Sequence, residues 1–156
     1  MPEVNKILVA ICFSDYCPAT FRYATRLALQ LHADLAAVNV IDIKSVQAVG
    51  KIEAMGYAVH AKDYVEGMIG ERTEMFQQMI ADSGFPEDRI KIVFKIGHPF
   101  EELIKVVKEE DVDLVVMGPK GTSDHPHLLV GGVAEKMLRY CPVSVTFYRK
   151  KQPQEE

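Results

Sequence analysis

One segment of this 156-residue chain holds most of its candidate chemistry: Met117-Gly118-Pro119-Lys120-Gly121-Thr122-Ser123-Asp124-His125-Pro126-His127-Leu128-Leu129-Val130-Gly131-Gly132-Val133. Gly118 and Gly121 can take a positive φ and let the backbone close on a ligand. Gly131 and Gly132 lie at the start of the next helical pattern, where unpaired N–H groups and the helix dipole favour an anion. Two donor clusters around one cleft bracket a phosphate chain. The same glycines also serve an ordinary turn followed by a helix cap, and spacing alone does not separate the two readings. Lys120 either reaches a phosphate or is a solvated loop lysine. The segment is neither a Walker A loop nor the GxGxxG fingerprint of dinucleotide folds.

Other reactive side chains are sparse. Asp124, His125 and His127 lack a third ligand at helical spacing and read as a surface loop rather than a metal site. The three cysteines are Cys12, Cys17 and Cys141. Cys12 and Cys17 are not a CxxC pair. Cys12 ends an apolar run and reads as a small buried hydrophobe. Cys17 falls near a helix N-terminus, where a thiol pKa is lowered, which leaves a redox role open. No Ser-His-Asp or paired-carboxylate arrangement follows from residue order, so no catalytic residue and no metal ligand is assigned.

The elements that position the glycine segment follow from hydrophobic periodicity. Ile7 to Cys12 is a continuous apolar run, suited to a strand buried on both faces. Ser14 and Asp15 are cap candidates for a helix carrying Phe21, Ala24, Leu27, Ala28 and Leu31. Leu35 to Ile41 is a second buried strand. Residues 42 to about 55 are irregular in pattern. A helix runs from near Met55 to Ala81, with Gly67 and Gly70 weakening its first half, and Ser83-Gly84-Phe85-Pro86 stops it. Ile90 to Ile96 alternates with Lys91 and Lys95, as an edge strand does. Gly97-His98-Pro99 turns into a short helix bearing Phe100, Leu103, Ile104 and Val107. Leu114 to Met117 is a further buried strand, Leu128 to Tyr140 a helix, and Val143 to Tyr148 a last strand with an exposed edge open to pairing with a second copy.

Strands alternating with helices imply a three-layer α/β/α sandwich with a five-stranded parallel sheet, joined by right-handed crossovers. The expected order, 3-2-1-4-5, places the first and fourth strands together at the topological switch point, where open α/β sheets bind ligands. The expected organisation is a single domain over residues 1–149 and a disordered polar tail over 150–156.

Composition narrows the function classes. With 48% hydrophobic and 26% charged residues, the chain reads as globular. A net charge of −4 without a Lys/Arg stripe argues against nucleic acid. No run approaches the roughly 18 apolar residues of a membrane span. Sparse thiols and an opening without a long apolar region point to the cytoplasm.

The glycine segment resembles that of the universal stress protein family, whose pattern is Gly, two residues, Gly, nine residues, then Gly followed by Ser or Thr. Gly118, Gly121 and Gly131 match with both gaps correct. The likeness extends through Ile7-Leu8-Val9-Ala10, Val38-Asn39-Val40-Ile41-Asp42, Gly97-His98-Pro99, Asp113 to Gly118 and Gly132 to Lys136. The resemblance implies an adenine nucleotide alpha hydrolase-like fold, a stress-response role, a homodimer paired through last strands and, in one branch, binding of ATP or AMP. By position match the nucleotide would meet Cys12, Phe13, Ser14, Val40, Met117, Gly118, Lys120, Gly121, Gly131, Gly132 and Val133, with Val40 beside the base through its backbone.

Two departures bear on affinity. Nucleotide-binding members end the first strand with an aspartate in an Asp-Gly-Ser-like turn, and here Cys12-Phe13-Ser14 lacks that carboxylate. The Ser or Thr after the third glycine is Gly132, so a hydroxyl is lost. Phe13 adds bulk, either narrowing the cleft or stacking on a base. The expected function is therefore an adenine-nucleotide module of weakened affinity. The alternatives are a dimeric regulatory scaffold without nucleotide and, last, an enzyme performing slow nucleotide hydrolysis or flavodoxin-like redox chemistry.

Overall fold

The computed structural model describes residues 3–120 and 130–151. The sheet is parallel throughout, in the order β3-β2-β1-β4-β5. Its strands are β1 (Lys6–Ala10), β2 (Asp34–Asp42), β3 (Ile90–Gly97), β4 (Leu114–Met117) and β5 (Ser144–Phe147). The helices are α1 (Cys17–Leu31), α2 (Ile43–Ala54), α3 (Ala61–Ser83), α4 (Pro99–Glu109) and α5 (Gly132–Tyr140). The expected topology is thus observed.

The apolar runs become strands because both faces of the sheet are covered. Alternate residues of β1 separate into two cores. Ile7 and Val9 join Phe21, Ala28, Leu35 and Phe76 on the side of α1 and α3. Leu8 joins Ala36, Val38, Val106, Val115 and Met137 on the side of α4 and α5. All three β1 side chains are fully buried. At the amino end of the sheet the Asp113 carboxylate accepts from the Asn5 and Lys6 N–H groups at 2.8 and 2.9 Å, which fixes β1 beside β4.

Several local boundaries differ from the sequence reading. The stretch read as irregular is helix α2, capped by the Asp42 carboxylate accepting from Lys44 N–H at 2.9 Å. No residue of α2 is buried, so its Ile43, Val46, Val49 and Ile52 spacing carried little contrast. The long helix starts at Ala61 rather than near Met55. Gly67 and Gly70 lie within it, and a side chain at either would meet open space, so packing does not require glycine there. Gly84 ends it in the left-handed conformation, φ 67°, the usual glycine termination. Ser14 and Asp15 do not cap α1, which Tyr16 precedes without a side-chain cap. Helix α5 begins at Gly132, and Leu128 lies outside the described residues, as do Gln152 to Glu156 of the expected tail.

Phe76 is the centre of the α3-side core. It is fully buried and meets Phe13 and Phe94 edge-on at 5.0 and 5.8 Å. Phe76→Ala is expected to lower unfolding free energy by about 3–5 kcal/mol, the range for truncating a buried aromatic. Urea denaturation followed by circular dichroism measures it, and a loss below ~1 kcal/mol would show that this core does not anchor α3.

Candidate functional site

The site begins where β1 ends. Ile11 N–H still donates to Val38 C=O at 2.9 Å, continuing the β1–β2 ladder. The chain then bends through Phe13, whose φ is 58°. A non-glycine residue there stores roughly 1–2 kcal/mol of backbone strain. On the other side of β1, β4 runs out at Met117 and leads into Gly118. The crossovers from β1 and β4 depart in opposite directions, and the gap between them is a cleft of about 250 Å³.

Seven of the expected site residues line that cleft: Cys12, Ser14, Val40, Met117, Gly118, Lys120 and Val133. They come from the β1–α1 turn, β2, the end of β4 and the first turn of α5. Val133 and Ala134 carry the positive end of the α5 dipole to the lining.

Phe13, Gly131 and Gly132 do not line the cleft, and the reading of Gly118 is corrected. Phe13 does not present its ring to the cleft; the ring packs edge-on against Phe76, with the Arg72 guanidinium 5.3 Å above it. Gly131 N–H donates to Pro119 C=O at 2.6 Å, closing the base of the loop instead of facing a ligand. Gly132 opens α5. Gly118 needs no positive φ, and an added Cβ there would make only ordinary contacts, 3.7 Å to Lys120 O and 3.9 Å to Thr20 Oγ1. Gly121, His125 and His127 lie outside the described residues.

Residue order did not reveal which residues form the second wall. Tyr64, Met68 and Arg72 from α3 line the cleft, as do Asn39 and Asp42 of β2. Asn39 is 1% exposed, and its amide is satisfied on both sides. Its Nδ2 donates to Ile11 C=O at 2.7 Å, and its Oδ1 accepts from Arg72 Nη1 at 2.7 Å. Arg72 is thereby fixed between the amide and the Phe13 ring. An asparagine inside an apolar strand run was the one available sign that a polar partner must arrive from elsewhere.

The β1–α1 turn also brings two thiols together. Cys12 Sγ lies 3.7 Å from Cys17 Sγ, with Ser14 Oγ 3.5 Å from the first and 3.6 Å from the second. The expected assignment is reversed: the hydrogen bond from Cys17 lowers the Cys12 pKa to about 5, with further help from Ser14, whereas sharing that proton with Cys12, together with burial, raises the pKa of Cys17. Cys12 is half-buried, lining the cleft and packing against the α3-side core.

Two outcomes follow. Asn39→Ala leaves Ile11 C=O and the Arg72 guanidinium without their partner, and is expected to destabilise by about 2–4 kcal/mol. A change under ~0.5 kcal/mol in urea denaturation would show the bridge is dispensable. Alkylation of Cys12 by iodoacetamide is expected to be nearly constant from pH 7 to 8 and to fall only as pH drops toward about 5. Burial raises the Cys141 pKa, so its alkylation should climb steadily with pH. Peptide mapping that finds the opposite order would overturn the charge assignment.

Comparison with known proteins agrees with this geometry. Residues 3–149 match the profile of the universal stress protein family. A universal stress protein of Methanothermobacter thermautotrophicus is 34% identical over 95 residues, covering 56% of this chain and 64% of that one. Universal stress protein MJ0577 of Methanocaldococcus jannaschii is 28% identical over 80 residues, 51% of this chain and 48% of that one. The chain therefore spans about half to two thirds of the length of these relatives. The solved structure of MJ0577 superposes with a TM-score of 0.77 at 22% identity, covering 97% of this chain and 100% of that one. A universal stress protein solved in complex with cAMP superposes with a TM-score of 0.63 at 17% identity, covering 94% and 98%. Sequence profile, sheet order and switch-point cleft agree, and the chain belongs to the universal stress protein family.

Proposed function

We propose that this protein binds an adenine nucleotide, ATP or AMP, in the cleft between β1 and β4 and works as a sensory or regulatory module in the stress response. The observation that carries the reading is the composition of the cleft. Val40 offers a strand edge suited to a flat base, while Arg72, Lys120 and the amino end of α5 supply positive potential for phosphate. Asp42, whose Oδ1 caps α2, is a carboxylate on the same lining and would accept from a ribose hydroxyl through its other oxygen. The family relative solved with cAMP supports a nucleotide as the ligand class.

Affinity is reduced relative to members with the full pattern. A hydrogen bond to a charged group is worth about 1.5–3 kcal/mol, so the hydroxyl lost at Gly132 weakens binding about ten- to a hundredfold. Gly131 N–H, already given to Pro119, removes a further donor. That observation favours a second reading, a partner-binding scaffold without nucleotide. In either reading the chain pairs as a homodimer through β5, which ends the sheet order and leaves one ladder edge for a twin.

Calorimetric titration with ATP and AMP, preceded by acid extraction of co-purified nucleotide, tests the first reading. Binding in the high micromolar to millimolar range is expected, and Arg72→Ala is expected to weaken it at least tenfold. No released nucleotide and no heat at millimolar ligand would overturn the nucleotide reading and leave the scaffold. Sedimentation at tens of micromolar is expected to give a dimer; a monomer would overturn pairing through β5.

A further inference from the structure

The Cys12–Cys17 pair has a geometry that neither nucleotide binding nor packing requires. Both residues line the cleft, and both cysteines are free. Their sulfurs are in van der Waals contact at 3.7 Å, and Ser14 Oγ lies within 3.6 Å of each. Cys17 opens helix α1 and is 5% exposed, whereas Cys12 is half-buried on the turn before it. The more accessible cysteine thus lies just past the end of β1, and the more buried one on the first turn of a helix. Arg72, reaching in from α3, adds positive potential on the Cys12 side.

We propose that Cys12 and Cys17 form an oxidisable dithiol, in which a peroxide entering the cleft reacts at Cys12 and Cys17 resolves the product to an intramolecular disulfide. The Cys12 thiolate attacks one peroxide oxygen and the O–O bond breaks. The leaving oxygen takes up the proton that the Cys12 thiol released on ionising and departs as water or an alcohol. Sulfur is oxidised by two electrons to sulfenic acid and the peroxide is reduced by two. The Cys17 sulfur then attacks Cys12 sulfur, the S–O bond breaks, and hydroxide leaves as water with the Cys17 proton. The sum is two thiols and one peroxide giving one disulfide, one alcohol or water, and one further water.

A disulfide needs the sulfurs at about 2.05 Å. The approach is supplied by the turn from Cys12 to Tyr16, which belongs to no helix or strand and holds Phe13 at φ 58°. Cys141 lies across the sheet, against the α4–α5 core, and has no part in the pair.

The test uses the whole chain, reduced, desalted, treated with one equivalent of hydrogen peroxide and then with N-ethylmaleimide. Wild-type protein is expected to fall from three alkylated cysteines to one, Cys141. Proteolysis should place the disulfide within the single peptide that holds Cys12 and Cys17, and dithiothreitol should restore both thiols. Cys17→Ser is expected to stop at sulfenic acid on Cys12, trapped by dimedone, and Cys12→Ser to slow thiol loss at least tenfold. Cys141→Ser should oxidise as wild type does. Three alkylated cysteines after peroxide, a disulfide through Cys141, or a persistent Cys12 sulfenic acid in wild type would each overturn the proposal, and all are read on protein that carries every native cysteine.

Discussion

The Asn39 amide is the interaction on which the site depends. It sits 1% exposed in a strand otherwise filled by apolar side chains. A buried amide without partners is costly, so its surroundings must supply an acceptor and a donor. The acceptor is Ile11 C=O, at the point where β1 leaves the ladder, and the donor is the Arg72 guanidinium from α3. One side chain therefore ties together the end of the central strand, its neighbour β2 and a helix that crosses over them. Satisfying the amide also places a cation at the cleft wall, and that cation covers the Phe13 ring. The strained backbone at Phe13 is held from both sides, by Arg72 above and Phe76 below. Structure and charge are set by the same contacts.

The sheet supplies the remaining constraint. Because β1 is buried on both faces and flanked by β2 and β4, its chain can continue only beyond the carboxyl edge. The turn to α1 and the segment after Gly118 must then diverge, leaving concave space without any residue being selected to make it. What fills the lining is where this chain becomes particular: a guanidinium, a lysine, a helix amino end, an aspartate and two thiols.

Much of this was legible in sequence, for a physical reason. Strands buried on two faces leave unbroken apolar runs, so β1, β2 and β4 were visible, and Gly84 marked the end of α3 through its left-handed backbone. Helix α2 was hidden because it buries no side chain, and without burial an amphipathic period has little contrast. Arg72 was hidden because its partner lies 33 residues away and nothing in a polar helix position announces a distant amide. The thiol pair was hidden because five residues is no recognised spacing. Only the tight turn at Phe13 brings the two sulfurs into contact. The glycines read correctly as a cleft segment and incorrectly as free donors, since Gly131 closes the loop on Pro119.

The thiol pair also alters what the absent aspartate means. The first strand does not end in a carboxylate; it ends in a sulfur whose pKa the contact with Cys17 lowers toward the thiolate. A thiolate is larger and a poorer hydrogen-bond acceptor than a carboxylate, so a ribose hydroxyl would be held less well there. It differs in a second respect: a carboxylate is chemically inert, whereas a thiolate loses its charge on oxidation. With Arg72 on the same lining and unchanged by oxidation, the cleft becomes more positive as the pair closes. Electrostatically that favours a phosphate, while the movement of the β1–α1 turn alters the space available to it. The substitution that weakens this cleft as a constitutive nucleotide site therefore makes its potential dependent on the redox state of the two sulfurs.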